Sequence, residues 1–268
     1  MAASDPGDKG FPEHGEDGWV VDAADNADPF TAWRDMRERE GPTVTLIELY
    51  ALVAEPRGLE PHELPLTERR KLVDRANPLL KPGFQHNPGS RSRALDPVEV
   101  THYNPDWPER FKSWRGRLAA LLGPLALRIE HVGSTSVPGL EAKPIVDIQV
   151  SVAALDDEDG YVPPCEAAGL QFRFRENEHR YFVPPPGQLR EVQVHVCQQA
   201  SGWERRHLLF RDFLRSSKDA QETYAAAKRL AARFWADDRA AYNEAKSAAI
   251  LSILGQAEAW ARFTNWAI

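Results

Sequence analysis

The chain has 268 residues, 42% hydrophobic and 27% charged, with a net charge of −7. That length buries a sizeable core in one or two domains, and the acidic balance argues against a general nucleic-acid binder. Two cysteines, Cys165 and Cys197, exclude a disulfide scaffold, and no CxxC metal-ligand spacing occurs.

Residues 1–28 hold eight acids and one base, so this segment alone carries −7 and the remainder is formally neutral. Acidic and glycine-rich, it reads as a disordered tail. Met1–Asp22 has no basic n-region and no apolar h-region, and no run of about 18 apolar residues occurs anywhere. The expectation is no signal peptide, no membrane span and a cytoplasmic protein.

A small helical module is predicted over residues 29–80. Phe30–Glu40 and Val44–Ala54 read as helices, stopped by Gly41-Pro42 and by Pro56-Arg57-Gly58. Thr67–Leu80 is a third, with Thr67 as N-cap and Leu72, Val73, Ala76 and Leu79 at helical spacing. Residues 81–96, with Pro82, Gly83, Pro88 and Gly89, have linker chemistry. Residues 97–268 form the main domain. It begins with a short strand, Val98–Tyr103, and an amphipathic helix, Pro105–Leu122, whose Trp107, Phe111, Trp114, Leu118 and Leu121 recur at 4, 3, 4 and 3. The strands Leu125–Val132 and Ile145–Val152 follow, then a helix at Pro164–Ala168 and a strand at Gln171–Phe174. Arg180–Val183 and Glu191–Cys197 read as a hairpin across Pro184-Pro185-Pro186-Gly187. The helices Trp203–Arg215, Lys218–Trp235 and Asp238–Arg262 complete the chain.

The segment HVGSTSVPGLEAKPIVD, residues 131–147, carries most of the chemical information. A Gly-Ser-Thr-Ser loop, Gly133, Ser134, Thr135 and Ser136, leaves one strand, and the next strand brings the lone acid Asp147. Small residues let backbone N–H groups and hydroxyls approach a phosphate closely, and a carboxylate on the next strand can hold Mg²⁺ against its oxygens. The arrangement reads as a phosphate-handling site, and the chain has no GxxxxGK[ST] loop.

Four blocks resemble the GrpB family of the nucleotidyltransferase superfamily: YNPDWPERF at 103–111, RIEHVGSTSVPGLEAKPIVDIQVSV at 128–152, VQVHVC at 192–197 and WERRHLLFRDFLR at 203–215. The resemblance covers about residues 97–255 and leaves residues 1–95 outside. It implies an α+β fold: a minimal, mixed nucleotidyltransferase-like sheet with helices on one side and a helical C-terminal extension. It also implies an enzyme that binds a nucleoside triphosphate such as ATP with Mg²⁺ and acts on a small-molecule acceptor, by nucleotidyl transfer or by ATP-dependent activation. Carried onto this sequence, Gly133 and Ser134 receive the triphosphate and Asp147 is the first metal-binding acid. The second acid position is Gln149, and the third falls at Gln193 or His195. Both depart from the superfamily's Asp-x-Asp/Glu pattern. A non-catalytic module that binds a nucleotide or small ligand, and a hydrolase or transferase that uses the pocket without nucleotide, are the rival readings.

Each candidate has a bland alternative. Asp147 and Gln149 share a strand face, and an acid among Ile145, Val146, Ile148 and Val150 is costly unless paired or metal-bound. Otherwise Asp147 only fixes the loop. Lys143 either neutralises phosphate or stands on the surface, and Arg180 either clamps an anion or faces solvent. His131 and His195 can join Asp147 as a Zn or Fe set, or hydrogen-bond the backbone as core histidines. His195 in the slot of the missing acid is the better candidate. Arg205, Arg206 and His207 lie on a charged helix face that touches substrate only if it turns inward.

Overall fold

The computed structural model describes residues 28–81, 83–88 and 97–268. The expected acidic tail lies outside them except for Asp28, whose carboxylate accepts from the Phe30 N–H and caps the first helix.

The N-terminal module is helical, as its spacing predicts. It consists of α1 (Pro29–Glu40), α2 (Leu46–Ala54) and α3 (Leu66–Leu80). Thr45 and Glu48 form a capping box that starts α2 two residues later than expected. Helix α3 starts after Pro65, so Thr67 lies inside it and does not cap it. The expected linker contains a two-residue strand, β1 (Gln85–His86).

The main domain opens with a segment that is not the expected strand. Val98–Tyr103 makes one isolated bridge among the described residues, Thr101 to Ala142, and Val98 N–H donates to the Ala236 carbonyl instead of to a strand. Helix α4 (Trp107–Leu122) buries Trp107, Trp114, Leu118 and Leu122. The last step is four residues, so Leu122 faces the core and Leu121 faces solvent. Then follow β2 (Arg128–Val132), β3 (Val146–Val152), α5 (Glu158–Ala167), β4 (Gln171–Arg175), β5 (His179–Val183) and β6 (Val192–Gln198). Helix α5 begins six residues before its expected start, because Tyr161 and Cys165, four apart, both reach the core.

The sheet order is β1-β4-β5-β6-β3-β2. Only β3 and β6 run parallel; the other neighbours are antiparallel. One face, with Val146, Ile148, Val150, Val192, Val194 and Val196, packs on α4 and α5. The expected α+β class with a mixed sheet is therefore correct. The opposite face carries the polar side chains. At its far end it meets α6 (Gly202–Ser216), where Trp203 stacks on His179 at 5.0 Å and Ser151 donates to the buried Glu204.

Helix α7 (Lys218–Trp235) leads to α8 (Arg239–Ala245) and α9 (Ser247–Thr264). The expected single helix Asp238–Arg262 is broken at Lys246, whose backbone (φ −97°, ψ −4°) leaves the helix axis. The break lets Ile253, Ala257 and Ala261 of α9 pack with Leu209 and Phe213 of α6.

The N-terminal module shares one core with α7 and α8, in which Trp33, Leu49, Tyr50 and Leu72 meet Trp235 and Tyr242. A polar knot joins the two parts. The buried Arg69 pairs with Asp237 at 2.8 Å and Asp238 at 3.3 Å, and Tyr50 donates to Asp238 at 2.9 Å. Asp238 also caps α8. Arg69→Ala leaves Asp238 buried without its cation, a change that costs about 3–5 kcal/mol. Urea unfolding should show that loss, and Tyr50→Phe only about 1 kcal/mol.

Candidate functional site

Register fixes which side chains share the open face. Asp147 lies opposite Val132 on β2 and Gln193 on β6, and Gln149 lies opposite His195. The chain leaves β2 at Gly133 with φ +68° and ψ −173°, a region that essentially only glycine occupies. A Cβ there would stand 2.9 Å from Cγ of Asp147, so the carboxylate occupies the space a side chain would need. Ser136 Oγ closes the turn by donating to the Gly133 carbonyl at 2.6 Å.

Beside this turn is a cavity of about 500 Å³. Gly133, Ser134, Thr135, Lys143, Asp147, Gln193, His195 and His207 line it, so most of the expected site residues come together. Asp147 Oδ1 accepts from Gln193 Nε2 at 2.5 Å, and His195 Nε2 stands 3.7 Å away. Burial alone would raise the Asp147 pKa. His195, Lys143 and the Gln193 amide outweigh it, and the carboxyl is held below its ordinary range. Gln193 Oε1 in turn accepts from the Tyr181 hydroxyl and from Arg190, which also donates to Tyr181 at 2.5 Å.

The sequence reading missed most of the cavity's positive charge. Among the described residues, Lys81, Arg190, Lys228, Arg239 and Lys246 join Lys143, against the two acids Asp147 and Glu176. Lys228 Nζ donates to Ser134 Oγ at 3.1 Å and to the Glu141 carbonyl, so a lysine from α7 sits directly on the turn. Burial and mutual repulsion lower the Lys143 and Lys228 pKa values to about 7, and burial lowers that of Lys246 to about 8. One local signal marks Lys228: it lies three or four residues from Tyr224, Ala225 and Ala231, on the apolar stripe of α7. Lys246 became visible only with the helix break.

Other expected residues lie elsewhere. His131 alternates to the opposite face, stacks on Phe111 at 4.8 Å and meets Thr135 Oγ1 at 2.9 Å. Burial holds its pKa at about 4, so it supports the turn from behind as a neutral ring. The His131/His195/Asp147 metal set is therefore not assembled. Arg180 also faces away, paired with Glu158 at 2.5 Å and Asp156 at 2.8 Å. Ser136 lines a second cavity behind the turn. Arg205 pairs with Glu258 and Arg206 with Glu178, outside the main cavity. His207 reaches the cavity rim, stacked on Trp203 at 3.6 Å. Gln149, two residues along β3 from Asp147, is fully buried, with no hydrogen-bond partner for either amide atom among the described residues.

The donor set fits one divalent ion and not two. Among the described residues no three His, Cys, Asp or Glu side chains group to hold a metal. Asp147 is ionised and has a second oxygen, so it can supply one ligand to an ion whose shell is completed by phosphate and water.

The fold and site thus define an α+β protein with a cationic cavity around a Gly-Ser turn. The family model for GrpB protein matches residues 97–256, and the chain belongs to the GrpB family. A UPF0157 protein of Halalkalibacterium halodurans is 40% identical over 166 residues, 60% of this chain and 83% of that one. The crystal structure of the conserved protein GrpB from Enterococcus faecalis has a TM-score of 0.54 and 33% identity, covering 60% of this chain and 99% of that chain. A dephospho-CoA kinase of Mycobacterium tuberculosis is 31% identical over 223 residues, 74% of this chain and 54% of that protein. Residues 97–268 are under two thirds of the chain, so this match enters the N-terminal module, where the sequence reading finds no resemblance. The chain spans about half the length of that kinase.

Two outcomes follow. Gly133→Ala meets both the backbone penalty, about 1–3 kcal/mol, and the Asp147 carboxylate, so calorimetry should show a lower Tm. The lysines add a pH dependence. Their folded pKa values of about 7, 7 and 8 lie below the unfolded value near 10.4, so the unfolded chain binds more protons between those limits. Stability of the ligand-free protein should rise from pH 7 towards pH 10 in urea titrations, less steeply in Lys228→Met.

Proposed function

We propose that the cavity is the substrate site of a nucleotidyltransferase-like enzyme, which binds a nucleoside triphosphate and acts on a small-molecule acceptor. One observation carries this: Lys143, Lys228, Lys246, Arg190 and Arg239 line one cavity with a Gly-Ser turn and an ionised aspartate, and Lys228 sits on the turn itself. Fixed cations, a hydroxyl and turn N–H groups are what a polyphosphate requires. The mycobacterial relatives named dephospho-CoA kinases lend support, since that name denotes phosphate chemistry on a nucleotide.

On this reading Lys228 and Ser134 hold a phosphate against the turn. Lys143 and Lys246 neutralise the charge next to it, and His195 flanks Asp147. Asp147 would hold a Mg²⁺ ion, which when bound would polarise the phosphoryl oxygens. A second reading, a binding module without catalysis, draws on Gln149: the position that would hold a second acid is neutral and buried.

Calorimetric titration of ATP with and without Mg²⁺ tests both. Wild type should bind, and ATP at 100 times its Kd should add about 2.7 kcal/mol of stability. Lys228→Met should weaken binding at least tenfold, and Asp147→Asn should stay folded and lose the Mg²⁺ dependence. Turnover with an acceptor separates enzyme from binding module. Nucleotide binding untouched by both substitutions would refute the site.

A further inference from the structure

The cavity has a second end that phosphate does not need. From the turn it runs across β6 and β5 to β4, where Phe174 and Tyr181 stack at 4.6 Å with 24° between ring planes. Register puts Phe174, Tyr181 and His195 in one row across the cavity face. The same two strands carry another stacked pair, Phe172 and Phe182 at 4.8 Å, on the opposite face. That pair is buried in the core, whereas Phe174 and Tyr181 are only partly buried and line the cavity. Two ring pairs of similar geometry thus have different surroundings, and the one on the cavity face presents the exposed part of its rings to the cavity, within reach of a ligand.

The wall is also held in place. Phe84, next to β1, backs Phe174 at 5.0 Å, and the Tyr181 hydroxyl is tied to Gln193 and Arg190. Lys81 and Glu176, 3.2 Å apart, stand at this end with a donor and an acceptor for the edge of a planar ring. Asp147 and Phe174 lie on strands three steps apart, about 14 Å, a span an extended nucleoside polyphosphate can bridge.

We propose that the Phe174–Tyr181 wall is a nucleobase subsite, on which the base stacks while its phosphates lie at the Gly133 turn. This rests on the phosphate reading above and adds what is recognised at the other end. Titration of ATP and of inorganic triphosphate against the full chain separates the two claims. Wild type should bind ATP at least tenfold more tightly than triphosphate, in keeping with the contribution of one base stacked on an aromatic ring. Phe174→Leu should remove most of that preference and leave triphosphate binding unchanged, and Phe174→Trp should restore it. Equal affinity of wild type for ATP and triphosphate would overturn the subsite and leave the phosphate site standing. So would a loss in Phe174→Leu that is equal for both probes. Failure of both probes to bind wild type would overturn the phosphate reading and the subsite with it.

Discussion

The charge on Asp147 is the interaction on which the site depends. An isolated carboxylate in such a cavity would be neutralised by its surroundings. Here His195, Lys143 and Gln193 keep it ionised, and it in turn favours the charged forms of Lys143 and Lys246, which burial opposes. Its geometric demands spread outward. Gly133 must lack a side chain because the carboxylate stands where Cβ would be. Gln193 must point Nε2 at Asp147, which leaves Oε1 as an acceptor for Tyr181 and Arg190. One negative charge on β3 therefore fixes an amide on β6 and a ring on β5.

The N-terminal module bears on the same cavity from outside. Tyr242 belongs to the core shared by α2, α3 and α8, and it also lines the cavity, with Lys143 and Lys246 at 5.3 and 4.6 Å from its ring centre. A cation over a ring is held best when the ring cannot move, and here the module packs behind it. Lys81, just past α3, reaches the opposite rim. The module is thus continuous with the family domain in packing.

Much of this was legible where the chemistry is local. Gly133 and Asp147 are fourteen residues apart on a strand–turn–strand unit, and period-two alternation put Asp147 and Gln149 on one face. The helical module and the C-terminal helices followed from apolar spacing. Parity was harder. His131 and Arg180 sit one residue away from positions that face the cavity, and without the pairing register nothing in the sequence assigns a strand residue to one face or the other. The cations were the least legible. Arg190 comes from the hairpin, Lys228 from α7, and Arg239 and Lys246 from the two ends of α8, so only the tertiary fold brings them to one cavity.

The neutral Gln149 and the buried lysines belong together. In a site built on paired carboxylates, acids recruit metal ions and the ions hold the phosphates. On the proposed reading, side-chain cations lining the cavity take over most of that recruitment, and extra acids beside them would pair with the lysines and cancel the field offered to a ligand. The replacement has a cost: burial disfavours the three ammonium groups, and repulsion adds to it at Lys143 and Lys228, so their pKa values fall to about 7 and 8. On the proposed reading an anion beside them favours their charged forms against burial, so phosphate binding is accompanied by proton uptake near neutral pH. Asp147 then has one task that the lysines cannot perform. It stands among the lysines as an opposite charge and favours the charged forms of Lys143 and Lys246.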